Sequence, residues 1–320
     1  MAADPFSDIL ELADAQSVVS GGFTAGARWA IRFPPPRKLK FFAVVRGSCR
    51  LHLDGEKDPV RIEAGDAFML SAPRPFLLWN GSPGRPIDSG SVFTPGSGAI
   101  ARVGKGDDFF LLGGHVELDR QSGGLVSDVL PPLIHVRAGS PRASTLQWLL
   151  DQLVRERTAD LPGAGVATSQ LAQLMFVQIL RAHLSESESF SASWLKTLRD
   201  VRLAPALRLM HREPARDWQL EELAKAAGMS RTTFAVRFKD AAGVPPLAYL
   251  THWRMRLAER ALRKEDATIA ELATTLGYAS ESAFSNAFKR IVGVAPKRFR
   301  ETSRASDARA LELQPELEEP

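Results

Sequence analysis

One pattern occurs twice in the last third of the chain, about fifty residues apart, and it restricts the fold of that region more than any other feature. The first copy reads Leu223-Ala224, Gly228, Ser230, Phe234, Phe238-Lys239, Gly243-Val244, Pro246, Tyr249. The second reads Leu272-Ala273, Gly277, Ser280, Phe284, Phe288-Lys289, Gly293-Val294, Pro296, Phe299. Ten positions agree in order, with five residues from Leu-Ala to the first glycine and four between the phenylalanines. That spacing suits a glycine that ends one helix and a Phe pair that anchors the next on a single face. Each copy therefore predicts a helix, a turn and a second helix, the shape that presents a helix to a DNA major groove.

In the first copy the pattern predicts a helix over 220–227, a Gly228-Met229 turn, and Ser230 as N-cap of a helix over 231–241. In the second, Thr268 caps a helix running to Leu276, Gly277-Tyr278-Ala279 turn the chain, and Ser280 caps a helix over 281–291. With the phenylalanines inward, Thr232, Ala235 and Val236 face out from the first reader, and Glu281, Ser282, Ser285 and Asn286 from the second. These seven are the expected base contacts, because Asn pairs with adenine, Glu accepts from cytosine and small apolar groups meet the thymine methyl. The second reader is the more polar. Arg231, Arg237, Lys239, Lys289, Arg290, Lys297 and Arg298 are the expected phosphate contacts, with Arg254, Arg256 and Arg300 as further candidates. Between the copies, Pro246 to Lys264 predicts a helix about 27 Å long at 1.5 Å per residue, a spacer that can set two readers about one DNA turn apart.

Taken singly, the apolar residues of this region would suit the core of any helical bundle. Charge breaks the tie. The net charge of +4 conceals a segregation: residues 201–300 hold 18 basic and 10 acidic side chains, residues 1–200 hold 21 of each, and the last twenty hold 2 and 6. A basic surplus confined to the duplicated region is the electrostatic footprint of nucleic-acid binding.

The 320 residues, 44% of them hydrophobic, allow two or three domains. No apolar run is long enough for a membrane helix, and the first residues lack a basic segment followed by an apolar one, so a cytoplasmic protein with no membrane association is expected. The lone Cys49 agrees with a reducing compartment.

From about Phe23 to His135, short apolar runs at Trp29–Phe33, Phe41–Val45, Cys49–Leu53, Ala67–Leu70 and Phe76–Trp79 alternate with Gly, Pro and Asp. They predict strands of an antiparallel sandwich or barrel, with a hairpin at Asp54-Gly55. From Ser144 the period becomes helical, predicting helices near 144–157 and 167–184, then a flexible connection at Ser185–Ser189. No Gly-x-Ser-x-Gly elbow or full phosphate loop occurs, and no catalytic residue or cofactor is expected.

Residues 201–300 resemble the C-terminal domain of the AraC/XylS family of bacterial transcription regulators. The likeness rests on Leu-Ala-x3-Gly-Met-Ser, on Tyr-Leu-x2-Trp-Arg-Met at 249–255, on Ile-Ala-x-Leu-Ala-x2-Leu-Gly-Tyr, and on Gly-x2-Pro-x3-Phe-Arg at 293–300. Gly65-Asp66, Gly113-Gly114-His115, Leu130-Pro131-Pro132-Leu133-Ile134 and Trp194-Leu195 resemble the cupin-type N-terminal domain of one AraC subgroup. The resemblance implies an α+β multidomain chain: a cupin-like antiparallel β barrel over 1–140 that senses a small molecule, and a helical connector over 141–195 available for homodimerisation. It further implies an all-α double helix-turn-helix over 196–300, followed by a disordered acidic tail over 301–320. Double-stranded DNA, an effector and, for an activator, RNA polymerase are the implied partners. Cupin enzymes hold metal with His-x-His, which this chain lacks. A ligand-binding or metal enzyme fused to a DNA-localising domain is therefore the secondary reading. Trp29, Phe42, His52, Trp79 and His115 are the candidate effector-pocket residues.

Overall fold

The computed structural model describes residues 4–94, 100–159, 161–186, 193–264 and 266–312. They form two compact units, one of Ala13–Ser189 and one of Met1–Leu12 with Phe190–Pro320. The helix α1 (Pro5–Leu12) thus belongs with the C-terminal unit, although the β unit follows it directly in the chain.

The β unit contains β1 (Gln16–Ala25), β2 (Trp29–Phe33), β3 (Leu39–Arg46), β4 (Ser48–Leu53), β5 (Val60–Glu63), β6 (Ala67–Leu70), β7 (Phe76–Asn80) and β8 (Ile87–Asp88). Next come the short helix α2 (Ser89–Val92), β9 (Ile100–Val103), β10 (Phe109–Glu117), the short helix α3 (Gly124–Ser127), β11 (Leu133–Val136), α4 (Ala143–Thr158) and α5 (Ala164–Glu186). One sheet has the order β11-β6-β3-β10-β1-β9, the other β5-β4-β7-β2-β8. The expected antiparallel barrel is corrected in two respects. The sheets do not close on each other, and each carries one parallel pair, β1 with β9 and β2 with β8.

Burial explains the strand sequences. The five-stranded sheet alternates, so β4 buries Cys49, Leu51 and Leu53 against the core. The six-stranded sheet is covered on both faces: Phe42, Val44, Phe68, Phe109 and Leu111 fill the space between the sheets, and α4 and α5 pack on the other face. Hence β6 and most of β3 and β10 read as continuous apolar runs. Gln173 of α5 fastens the start of β1 by accepting from the Ser17 N–H at 3.0 Å and donating to the Ala15 carbonyl at 2.9 Å. The 141–195 segment expected as a separate connector is, through α5, part of the β unit.

The C-terminal unit continues with α6 (Trp194–Arg199), α7 (Ala204–Arg212), α8 (Leu220–Ala226), α9 (Arg231–Ala242), α10 (Pro246–Lys264), α11 (Ile269–Thr275), α12 (Glu281–Val292) and α13 (Pro296–Glu312). It has two cores. Leu207, Met210, Trp218, Leu223, Phe234, Phe238 and Leu250 form the first; Met255, Leu262, Leu272, Phe284, Phe288 and Phe299 form the second. Helix α10 contributes to both, at the place where the sequence predicts a helix between the copies. Helix α13 runs to Glu312, so 301–312 is helical rather than the expected disordered tail. Residues 313–320 of that tail, and 187–189 of the expected flexible connection, lie outside the described residues.

Helix α1 packs on α6, α7 and α10, burying Phe6, Ile9, Leu10 and Leu12. Its Asp8 carboxylate lies 3.1 Å from Nδ1 of buried His211, whose Nε2 lies 2.9 Å from the Tyr249 hydroxyl and whose ring stacks on Trp253 at 3.9 Å. Burial depresses the His211 pKa below its ordinary value, against the opposing pull of Asp8. The neutral ring then donates Nδ1–H to Asp8 and accepts the Tyr249 O–H.

Candidate nucleic-acid interface and ligand cavity

The two reader helices are built by the same local chemistry. Helices α8 and α11 both start with capping boxes, Gln219 with Glu222 and Thr268 with Glu271. The turns pass through Gly228 at φ +62° and Gly277 at φ +78°, a left-handed conformation that favours glycine. Ser230 accepts from the Thr233 N–H at 3.2 Å and Ser280 from the Ala283 N–H at 3.1 Å, starting α9 and α12. Gly243 and Gly293 end them in the left-handed conformation. The Phe234–Phe238 and Phe284–Phe288 ring pairs lie 5.6 and 5.8 Å apart, fully buried, and fix which face of each helix turns outward. The second turn is one residue longer and inserts Tyr278, whose ring meets Phe284 edge-on and lies under the Arg254 guanidinium.

Those constraints leave Thr232 and Val236 exposed on α9, and Glu281, Ser282 and Asn286 exposed on α12; Ala235 and Ser285, at equivalent positions, are half-buried. The expected phosphate contacts divide into two groups. Arg231 pairs with Glu221 at 2.9 Å and Arg237 with Asp200 at 2.6 Å. Burial raises the Asp200 pKa, but hydrogen bonds from Arg237 and from the Arg202 and Leu203 N–H groups, with the Arg237 charge, outweigh it and hold the carboxyl below its ordinary value. Lys239, Lys289, Arg290, Lys297 and Arg298 are exposed and form no side-chain hydrogen bond or ion pair among the described residues. Three further candidates are framework rather than free cations. Arg254 donates to the Pro214 and Arg216 carbonyls at 2.6 and 2.8 Å, Arg256 pairs with Glu259, and Arg300 donates to the Ala267 carbonyl.

The β unit contains a cavity of about 600 Å³ between its sheets, open at one end. Its apolar wall comes from Phe23, Phe33, Phe42, Phe76, Phe93 and Leu111, and its mouth carries Ser20, Arg37, Lys38, Lys40 and His115. Among the described residues, no Asp or Glu lines it. Backbone register explains the arrangement: Lys40 and His115 are direct cross-strand partners on β3 and β10, two residues from Phe42 and Gly113 on the same inner face. A bulge between Val19 and Gly21 sets Ser20 beside them, 2.8 Å from His115 Nδ1. Gly113 leaves the space open, since a Cβ there would come within 2.8 Å of the Phe42 ring.

Of the candidate pocket residues, Phe42 and His115 line this cavity. Trp29 lies deeper in the core, 5.2 Å from Phe23 and 4.7 Å from Phe109. His52 and Trp79 lie outside the cavity, because Leu51, Leu53 and Leu78 take the inward positions of their strands and alternation turns these two to the opposite face. Cys49 is buried, its thiol pushed up to about 12 by burial, which makes it an inert core residue. Among the described residues, no three His, Cys, Asp or Glu side chains converge as metal ligands.

Comparison with known proteins agrees with this two-part construction. A family model described as Cupin matches residues 4–185, and one described as helix-turn-helix domain matches residues 223–302. An AraC-like transcription regulator of Streptomyces lividans is 43% identical over 297 residues, spanning 93% of this chain and 98% of its own length. The chain belongs to the AraC family of transcription regulators. A second AraC-like regulator, from Streptomyces antibioticus, is 42% identical over the same proportions of both chains. Among solved structures, the DNA-binding domain of AdpA in complex with a target DNA is 32% identical, covers 33% of this chain and 95% of that one, and superposes with a TM-score of 0.31.

As an AraC-family regulator, the chain carries both helix-turn-helix copies inside one matched domain, while the cupin match extends through α4 and α5. No helix among the described residues is long and apolar enough to cross a membrane. The sequence reading passed over Lys40 and Ser20 as site residues. A lysine two residues before Phe42 on an apolar strand was the available signal for the first; the bulge that places Ser20 has no comparable one.

Proposed function

We propose that this regulator recognises specific DNA sites by inserting α9 and α12 into successive major grooves, with α12 supplying most of the base discrimination. The observation that carries the reading is the shared frame. Identical caps and Phe pairs turn equivalent faces of the two helices outward, and α10, at 19 residues about 28 Å long, separates them on the scale of one DNA turn. Glu281, Ser282, Ser285 and Asn286 are the base-reading group of α12; Thr232, Ala235 and Val236 give α9 a shallow, largely apolar face suited to methyl contacts and anchoring. Lys239, Lys289, Arg290, Lys297 and Arg298 are the phosphate contacts, and Arg231 and Arg237 can join them only by leaving Glu221 and Asp200. Selection of bound fragments from a random DNA pool tests this: two conserved half-sites about 10 base pairs apart are expected. A selected site with one half alone refutes the two-groove reading.

The β unit is proposed to sense a small-molecule effector in the cavity lined by Phe42 and His115, and an activating form would also contact RNA polymerase. The exposed apolar side chains of α4 and α5, Trp148 and Leu174, are proposed as a homodimer face. Sedimentation of the Trp148→Glu variant as a monomer beside a dimeric wild type supports that face; a monomeric wild type refutes it.

A further inference from the structure

We propose that Arg254 is a positioning residue: with Tyr278 and Gly277 it locks the two helix-turn-helix halves at one orientation and so makes the regulator selective for the spacing of its half-sites. The inference rests on the reading that α9 and α12 enter successive grooves, and adds what fixes one reader relative to the other.

The joint lies where the duplication is broken. At Gly228 the space that a Cβ would take is open, whereas Gly277 leaves no room for one against the Ala215 carbonyl. The second turn therefore rests on the backbone of 213–219, the segment that joins α7 to α8 in the first half. Arg254, on α10, closes this contact from the side. Its Nε and one Nη donate to the Pro214 and Arg216 carbonyls at 2.6 and 2.8 Å, and its guanidinium lies 5.7 Å from the centre of the Tyr278 ring, the residue that lengthens the second turn. Both sides of the contact are tied to their own cores. Trp218 is buried in the first core and donates its indole N–H to the Glu213 carbonyl at 3.0 Å and its backbone N–H to the Arg216 carbonyl at 2.9 Å. Arg216 pairs with Glu222 of α8 at 2.6 Å. Tyr278 packs on the second core, with its ring 5.6 Å from Phe284 and its N–H on the Ala273 carbonyl at 2.8 Å.

Helix α10 alone would not hold the halves at one angle. It gives Leu250 to the first core and Met255 to the second, positions about 7.5 Å apart along its axis. A connection through one helix leaves bending about that stretch as a soft motion. A second attachment off the helix axis, made by the Gly277 turn and clipped by Arg254, removes it. The consequence for DNA is geometric. One base pair added between two half-sites moves the second by about 3.4 Å and turns it by about 35° around the DNA axis. A rigid pair of readers cannot follow that change and loses the gain of engaging both half-sites at once. A loosened pair follows it, but presents its second reader to the matched site at a lower effective concentration.

The test is the affinity of the full-length protein for three DNA fragments: an operator obtained by selection, the same operator with one base pair inserted between its half-sites, and the operator with its second half-site scrambled. The wild type is expected to bind the inserted fragment about thirtyfold or more weakly than the operator. In Arg254→Met, which keeps the length of the side chain and removes its donors, that ratio should fall to about five or less, with affinity for the scrambled fragment unchanged as the check that the first half is intact. Tyr278→Leu, which opens the joint from the other half, should lower the ratio in the same sense. A loss of stability alone would weaken binding to all three fragments and leave the ratio as it is. An unchanged ratio in a variant that binds the scrambled fragment as the wild type does overturns the proposal. So does a wild type for which insertion costs less than about threefold while scrambling costs more, a result that leaves the two-groove reading standing. If scrambling costs the wild type nothing, the two-groove reading fails and the proposal falls with it.

Discussion

The two helix-turn-helix halves share a frame and differ in what they do with it. Each starts with a capping box, turns at a left-handed glycine, starts its reader helix on a serine and buries a Phe pair. At equivalent outward positions, however, Arg231, Val236 and Asp240 of α9 face Glu281, Asn286 and Arg290 of α12. The first half also ties its arginines to Glu221 and Asp200 and is buttressed by α1, whereas the second leaves Lys289, Arg290, Lys297 and Arg298 unpaired among the described residues. Divergence on a duplicated frame separates the residues that make the fold, which the halves share, from the exposed positions at which they differ: the first half pairs Arg231 and Arg237, and the second leaves its outward cations unpaired among the described residues.

The largest test of that contrast is at the turn glycines. Gly277 lies against the chain, and a Cβ there would come within 1.9 Å of the Ala215 carbonyl oxygen; at Gly228 nothing lies within 4 Å. Gly277→Ala should cost about 3–4 kcal/mol, through clash and strain together, and Gly228→Ala about 1 kcal/mol from its left-handed backbone alone. Equal losses in denaturant unfolding would mean that the turns are packed alike. The brace comes next. Ile9→Ala, removing a buried side chain of α1, should cost about 2–3 kcal/mol and raise hydrogen exchange in α7 more than in α12; uniform exchange across both halves would show that the brace is not local.

His211 makes the same brace dependent on pH. Asp8, Asp4 and Tyr249 are the titratable groups that act on it, and burial still depresses its pKa. A lowered histidine pKa means that the unfolded chain binds the proton more readily, so the stabilisation is complete above the ordinary value of 6.5 and is lost as pH falls below it. His211→Gln should flatten the stability of the C-terminal unit between about pH 7 and 5, measured by chemical unfolding at each pH. A slope equal to the wild type would place the titration elsewhere.

The frame was legible because it is local. Capping serines, turn glycines and phenylalanines four apart are set by i to i+4 geometry, and α4, α5 and α8 to α12 lie within a few residues of where periodicity puts them. What sequence hid depends on long-range pairing. The polar start of the chain gave no sign that α1 would bury Phe6 and Ile9 against helices two hundred residues later. Strand pairing decides that His115 meets Lys40 while His52 turns away from the cavity, and a shift of one residue would reverse either outcome. Likewise, nothing in the composition told framework arginines such as Arg254 and Arg300 from free ones.

The smaller effects concern DNA. Asn286→Ala should reduce discrimination between the selected operator and single-base variants of its second half-site by about 2 kcal/mol, leaving affinity for random DNA nearly unchanged. Arg298→Ala, which removes an unpaired cation, should weaken operator and random DNA alike and reduce the slope of log K against log salt by about 1. The smallest change is expected at the position equivalent to Asn286. Val236 is 58% exposed and can offer a base pair only a methyl contact, so Val236→Ala should alter discrimination by less than about 0.5 kcal/mol. Binding titrations with matched variants in both half-sites measure the two positions on one scale. If Val236→Ala proves as costly as Asn286→Ala, the first half reads bases as strongly as the second, and the division between a braced half and a reading half fails.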